Sequence, residues 1–179
     1  SEHPTFGVMA LAADCNAIIV DDRFLNQHTN IDNGNAQSPL FSTLDLLDAL
    51  LSTGSITSQN CLEYRTLLRR AGYFFVPVAY DELAGHLSAA KVKKGKFIET
   101  AELKAIRENM LCVRMSTWLQ LPKEAPWLDM LLKMFNRVMK GLWRADVDYT
   151  DVRARSNWIM DQVDIRGWAH SLRGENRDN

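Results

Sequence analysis

A chain of 179 residues, 46% apolar and 24% charged, is long enough for one domain with a good core or for a smaller α/β unit with a helical extension. Its balance excludes a disordered tail and a membrane-embedded protein. The formal net charge of −1 excludes a global positive field that would draw in nucleic acid, so any contact with a polyanion must come from a local patch.

In chain order, Phe6, Val8, Met9, Leu11 and Ala12 crowd a short stretch that predicts a buried helix over 6–13. Asn16 breaks it, and the β-branched run Ala17-Ile18-Ile19-Val20 predicts a strand buried on both faces and ending at Asp21-Asp22-Arg23. Residues 28–38, rich in Asn, Asp, Gln and Gly, read as a polar loop without regular structure. Ser42 or Thr43 can cap a helix whose apolar face is Leu44, Leu47, Leu50 and Leu51, closed by a left-handed Gly54. A second helix runs from Ser58 to Arg70 and stops at Gly72, and Tyr73–Val78 then reads as a short strand with Pro77 at its edge or exit. Asp81 is the expected cap of a helix reaching Ala90.

Beyond a basic linker at 91–99 the composition turns to three amphipathic helices, roughly Thr100–Gln120, Ala125–Trp143 and Thr150–Leu172. Pro122 should stop the first, Pro126 start the second, and Asp148 or Thr150 cap the third. Alone, each would leave an apolar face wet, so they must pack on one another or on the α/β part. The expected division is 1–90 for the α/β part, 91–99 for the linker, 100–174 for the helical extension and 175–179 for a frayed tail.

Asp21 and Asp22 are the sharpest chemical feature. Two adjacent carboxylates after a buried strand offer hard oxygen ligands to Mg²⁺ or Mn²⁺, and such a cation can activate water and neutralise a scissile phosphate. The competing reading is a solvated Asp-Asp-Arg turn in which one carboxylate pairs with Arg23 or caps the next turn of the chain. Lys91, Lys93, Lys94 and Lys96 form a local patch able to neutralise phosphates, or simply a solvated connector. Leu46–Gly72 also has the turn length of a helix-turn-helix, but Leu62, Tyr64, Leu67 and Leu68 leave its second helix little polar face for a groove. Trp118, Trp127, Trp143, Trp158 and Trp168 suit a core better than a base-stacking platform. The four histidines stand apart from cysteine and from one another, and Cys15, Cys61 and Cys112 make no zinc spacing or disulfide framework, which fits a reducing cytoplasm. No secretory leader pattern and no run of about 18 apolar residues is present. G-x-S-x-G, P-loop and G-x-G-x-x-G elements are absent from the sequence.

From Glu2 to about Ala90 the chain resembles the second half of bacterial PIN-like domains. The likeness rests on the alanine- and leucine-rich helix, the Asn16-Ala17 turn and Ile18-Ile19-Val20-Asp21-Asp22-Arg23. It continues through Thr43-Leu44-Asp45-Leu46-Leu47, Gly54-Ser55-Ile56 and Leu67-Leu68-Arg69-Arg70-Ala71-Gly72-Tyr73-Phe74-Phe75. The resemblance implies an α/β, mainly helical protein: a partial parallel sheet of a Rossmann-like domain followed by a C-terminal helical bundle. It also implies a parent that is a Mg²⁺- or Mn²⁺-dependent ribonuclease, with acids from several segments meeting at the carboxyl edge of the sheet. Asp21 and Asp22 match the strand-end acids, and Glu2 falls within about a residue of the acid that opens the preceding helix. The family's first strand and leading aspartate have no counterpart here, so the chain is expected to be an inactive fragment. The alternative expectation is a non-catalytic module whose tryptophan-bearing helices dock a protein partner or another copy.

Overall fold

The computed structural model describes residues 15–32, 37–116, 120–145 and 148–163. The expected helix at 6–13, Glu2, Trp118, Trp168 and the tail at 175–179 lie outside the described residues.

Contacts divide the chain into two compact units, one of residues 1–64 with 121–123 and one of 65–120 with 124–179. In the first, β1 (Ile18–Ile19), β2 (Asn30–Asp32) and β3 (Gln37–Phe41) form a sheet in the order β1-β3-β2. β1 runs parallel to β3, with Ile18 opposite Leu40, and β2 runs antiparallel to it. Ile18, Ile31 and Leu40 make a small core with Val20 and Leu25 against it. Two expectations fail here. Residues 28–38 contain β2 and the start of β3, because Ile31, Ser38 and Leu40 supply enough inward-facing positions to hold a sheet despite their polar neighbours. The strand at 17–20 is two residues long, and Ile19 is 51% exposed, so it is not buried on both faces.

α1 (Thr43–Ser52) leaves the end of β3, and α2 (Ser58–Arg70) comes after it. The capping expectation holds: Ser42 accepts from the Asp45 N–H while Asp45 accepts from the Ser42 N–H, a reciprocal capping box. Gly54 and Gly72 adopt φ of 71° and 80°, the left-handed geometry that ends a helix cheaply only at glycine.

The second unit is helical: α3 (Tyr80–Ala89), α4 (Ala101–Arg114), α5 (Ala125–Arg144) and α6 (Tyr149–Val163), with a hairpin of β4 (Val92–Lys93) and β5 (Lys96–Phe97). α5 packs on α3 and α6, α4 packs on α3, and β5 packs on α6. Their shared core includes Phe75, Leu83, Leu87, Ile106, Phe135 and Ile159. Leu83 and Leu87 explain why the division does not fall at residue 90: α3 buries its apolar face among the later helices.

Residues 73–78 are not a strand. Phe75 takes a positive φ of 59°, and the backbone carbonyls find side-chain donors in place of a sheet partner. Asn109 Nδ2 serves Tyr73, the Trp127 indole serves Val76, and Arg69 serves Pro77. Asp81 is no cap either: the Ala79 N–H is accepted by Glu82 at 3.2 Å, placing the capping carboxylate one residue later. The basic stretch at 91–99 holds the β4–β5 hairpin in place of a plain linker. α4 ends at Arg114, six residues before the expected Gln120. Asp148 caps α6, accepting the Thr150 and Asp151 N–H groups at 2.8 and 3.3 Å. No helix among the described residues is long and apolar enough to cross a membrane.

Candidate functional site

The carboxyl edge of β1 and β3 positions the strand-end acids. The Val20 N–H donates to Phe41 at 2.9 Å, extending the parallel ladder by one rung and setting Asp21 beside the start of α1. There Asp21 Oδ1 accepts the Thr43 N–H at 2.8 Å and Oδ2 accepts the Thr43 hydroxyl at 2.6 Å. Asp22 turns to its own chain, where Oδ1 accepts from the Phe24 and Leu25 N–H groups at 2.9 and 3.0 Å. It thereby caps the 3₁₀ turn Leu25–Gln27. Adjacent carboxylates thus serve two different turns, each a negative group at the positive end of a helical turn.

A third acid comes to the same edge. Asp45 lies in the first turn of α1, and its Oδ2 accepts the Ser42 N–H at 2.7 Å and the Ser42 hydroxyl at 2.6 Å. The sequence signal for it was the Ser42-x-x-Asp45 spacing of a capping box, while the strand that carries it to this edge was not legible. Among the described residues no three His, Cys, Asp or Glu side chains stand close enough to share a cation. What the arrangement offers is an acidic edge in which the carboxylates hold backbone. The exposed Asp22 makes both of its backbone contacts through Oδ1, so its second oxygen can serve as a single hard ligand.

Lys91, Lys93, Lys94 and Lys96 are all exposed. Lys93 pairs directly opposite Lys96, so these two like charges share one hairpin face with Lys94 at the turn beside them. Such a pair disfavours the hairpin and concentrates positive charge at its tip.

Two features of the second unit were not anticipated. Along α5, Trp127, Met130, Leu131 and Met134 line an apolar groove of about 350 Å³ with Pro77 and Val78, edged by Lys133 and Arg137. A basic groove lined by Lys133, Arg137, Lys140 and Arg144 with Tyr80 continues from it. The signal was the spacing of four cations at i, i+4, i+7 and i+11, overlooked because the tryptophans drew the reading toward core. Trp127 and Trp158 are indeed buried, whereas Trp143 is 50% exposed and meets Tyr149 edge-on at 5.7 Å.

A polar cleft beside α6 holds the clasp of Glu99, Arg107 and Trp158. Arg107 donates to both Glu99 oxygens at 2.8 and 2.9 Å, and the Trp158 indole adds a bond at 2.9 Å. The Arg107 hydrogen bond holds the Glu99 carboxyl below the usual range against the opposing pull of burial. Reciprocally, Glu99 raises the Arg107 guanidinium. The clasp joins the segment after β5 to α4 and α6 and is structural chemistry.

No family model, no curated protein and no solved structure matches this chain.

Proposed function

We propose that this chain is a piece of a PIN-like protein whose parent is a Mg²⁺- or Mn²⁺-dependent ribonuclease of the cytoplasm, and that the piece alone is inactive. The supporting observation is the parallel pairing of β1 with β3, which brings Asp21 and Asp22 from one strand and Asp45 from the turn after the other to a common carboxyl edge. Ligands of open α/β sheets bind at that edge. A cation held there by the Asp22 carboxylate and by further acids from elsewhere in the parent would polarise a phosphate and supply hydroxide from bound water. The inactivity of the piece follows from its acids. Each already accepts backbone or hydroxyl donors, and three carboxylates so engaged are too few for a tight Mg²⁺ site. Lys91, Lys93, Lys94 and Lys96 would add contacts to the RNA backbone, visible as a reduced salt slope of binding when they are replaced. The test is RNA cleavage by the parent in Mg²⁺ or Mn²⁺, with loss of cleavage expected in chelator and in Asp21→Ala and Asp22→Ala. A parent that cleaves nothing, or cleaves equally well with both alanines, refutes the proposal.

A second reading, a protein-interaction module, is favoured by the apolar groove on α5. Met130 at its lip is 56% exposed, an arrangement suited to a partner's apolar side chains. Loss of a partner on Met130→Glu tests it.

A further inference from the structure

Resting on the second of these readings, we infer that the groove on α5 receives an acidic amphipathic segment of another protein, seated by apolar anchors at one end and held by carboxylates at the other. Two adjoining surfaces carry the inference. The first is the pocket of Pro77, Val78, Trp127, Met130, Leu131 and Met134, whose two thioethers can repack around differing apolar side chains. The second is the cation row Lys133, Arg137, Lys140 and Arg144, all exposed.

The charges are available to different degrees. Lys133 is paired with Asp129 at 2.6 Å, and the Arg137 guanidinium lies 4.7 Å from the Tyr80 ring centroid. Lys140 and Arg144 meet no carboxylate among the described residues. Positive charge without a carboxylate partner among the described residues therefore lies at the far end of the row, away from the apolar pocket. From Met130 to Arg144 along α5 is about 21 Å at a rise of about 1.5 Å per residue. A bound helix would match this with an apolar stripe over about two turns, then acids about two turns further on.

A nucleic acid fits the groove less well. Its floor is aliphatic, the Trp127 ring is 6% exposed and packs edge-on against Phe75, and the Tyr80 face is already covered by Arg137. Among the described residues that line the two grooves, no open aromatic platform remains for unpaired bases.

The test is selection of a displayed library of random sixteen-residue peptides on the full chain, with affinity then measured on the recovered sequences. The expected peptides combine apolar residues at i, i+3 or i+4 and i+7 with clustered Asp or Glu. Met130→Glu should weaken them roughly thirtyfold or more, because it replaces an apolar contact at the lip of the pocket by a charge that binding would desolvate. The double variant Lys140→Glu/Arg144→Glu should weaken them about tenfold in low salt, with a smaller loss in high salt. Both sites are exposed, and circular dichroism melts of the variants verify that folding is retained. Recovered peptides that need Met130 but carry no acids overturn the inference and leave the interaction module standing. Peptides indifferent to Met130 overturn both. Self-association abolished by Met130→Glu makes the occupant a second copy, and tight binding of a single-stranded RNA oligonucleotide that depends on Lys140 and Arg144 makes it a nucleic acid; either result overturns the inference.

Discussion

Arg69 and Glu82 face each other with side chains that expose nothing to solvent, so each is the other's counter-charge in a low-dielectric setting. Arg69 also donates to Pro77 at 2.6 Å and Glu82 accepts from Ala79, which ties α2 and α3 to the irregular segment between them. Removing one partner leaves an uncompensated buried charge. Arg69→Met or Glu82→Leu alone should cost about 3–5 kcal/mol in urea unfolding, whereas the double variant should recover most of that. A residual loss of about 1–3 kcal/mol should persist from the orphaned Pro77 carbonyl and Ala79 N–H. Single variants as stable as the parent chain would show that water reaches the pair. Glu99 makes a titratable counterpart. Its carboxyl is held below the ordinary value of 4.5, first by the Arg107 hydrogen bond. Glu102 is lowered too, first by its own backbone N–H and then by Thr100. Since the folded values lie below the unfolded ones, this stabilisation is complete above the unfolded value and drains away as the pH falls through the folded one. The stability gap between the unmodified chain and Glu99→Gln should therefore narrow as the pH is lowered through and below the ordinary carboxylate value of 4.5, and a gap that stays constant down to acid unfolding would contradict the clasp.

At the scale of elements, the hairpin of β4 and β5 shows a turn working against its own sequence. Lys94 and Gly95 have φ of 50° and 72°, the two successive left-handed residues of a type I′ turn, which favours Asn-Gly. Lys94→Asn should stabilise the chain by roughly 0.5 kcal/mol, by easing the backbone and removing one of three clustered charges. Gly95→Ala should cost about 1–2 kcal/mol through left-handed strain, since its added Cβ would meet Thr150 only at an ordinary 3.5 Å. Thermal melts of the two variants decide this, and equal midpoints would rule out the turn type. The helices here were legible in the sequence because they announce their ends: Ser42, Gly54, Gly72, Thr100, Pro126 and Asp148 all sit where the structure uses them. The strands were not, for opposite reasons. β2 and β3 hide in a polar stretch where few residues face inward. Tyr73–Val78 looks like a strand because its aromatic and β-branched residues are buried, but they are buried by helices contributed from distant sequence. Asp21 and Asp22 were legible as carboxylates at a sheet edge. Their hydrogen-bond partners were not, because the Thr43 group that receives Asp21 is brought over by tertiary pairing of β1 with β3. The groove on α5 needed Pro77 and Val78 from another segment to become a groove at all.

Across the whole molecule, a net charge of −1 gives a divalent cation no strong general attraction, so any cation effect must come from a defined ligand set. The two readings of the carboxylates then separate. If Asp21 and Asp22 act only as caps, Asp21→Ala should destabilise the chain by about 1 kcal/mol, with Mn²⁺ changing neither protein. If they are part of an unfinished cation site, the same holds for this chain alone, since a ligand present at its dissociation constant adds only about 0.4 kcal/mol. The readings diverge once the parent supplies further acids. There Mn²⁺ at about a hundredfold over its dissociation constant should add about 2.7 kcal/mol, and Asp22→Asn should remove that gain while leaving the cation-free midpoint little changed, because an asparagine oxygen still caps the Leu25–Gln27 turn. A Mn²⁺-dependent rise in midpoint already present in the isolated chain would contradict its incompleteness. A parent whose midpoint ignores Mn²⁺ would leave these aspartates as the caps that hold α1 and the 3₁₀ turn in place.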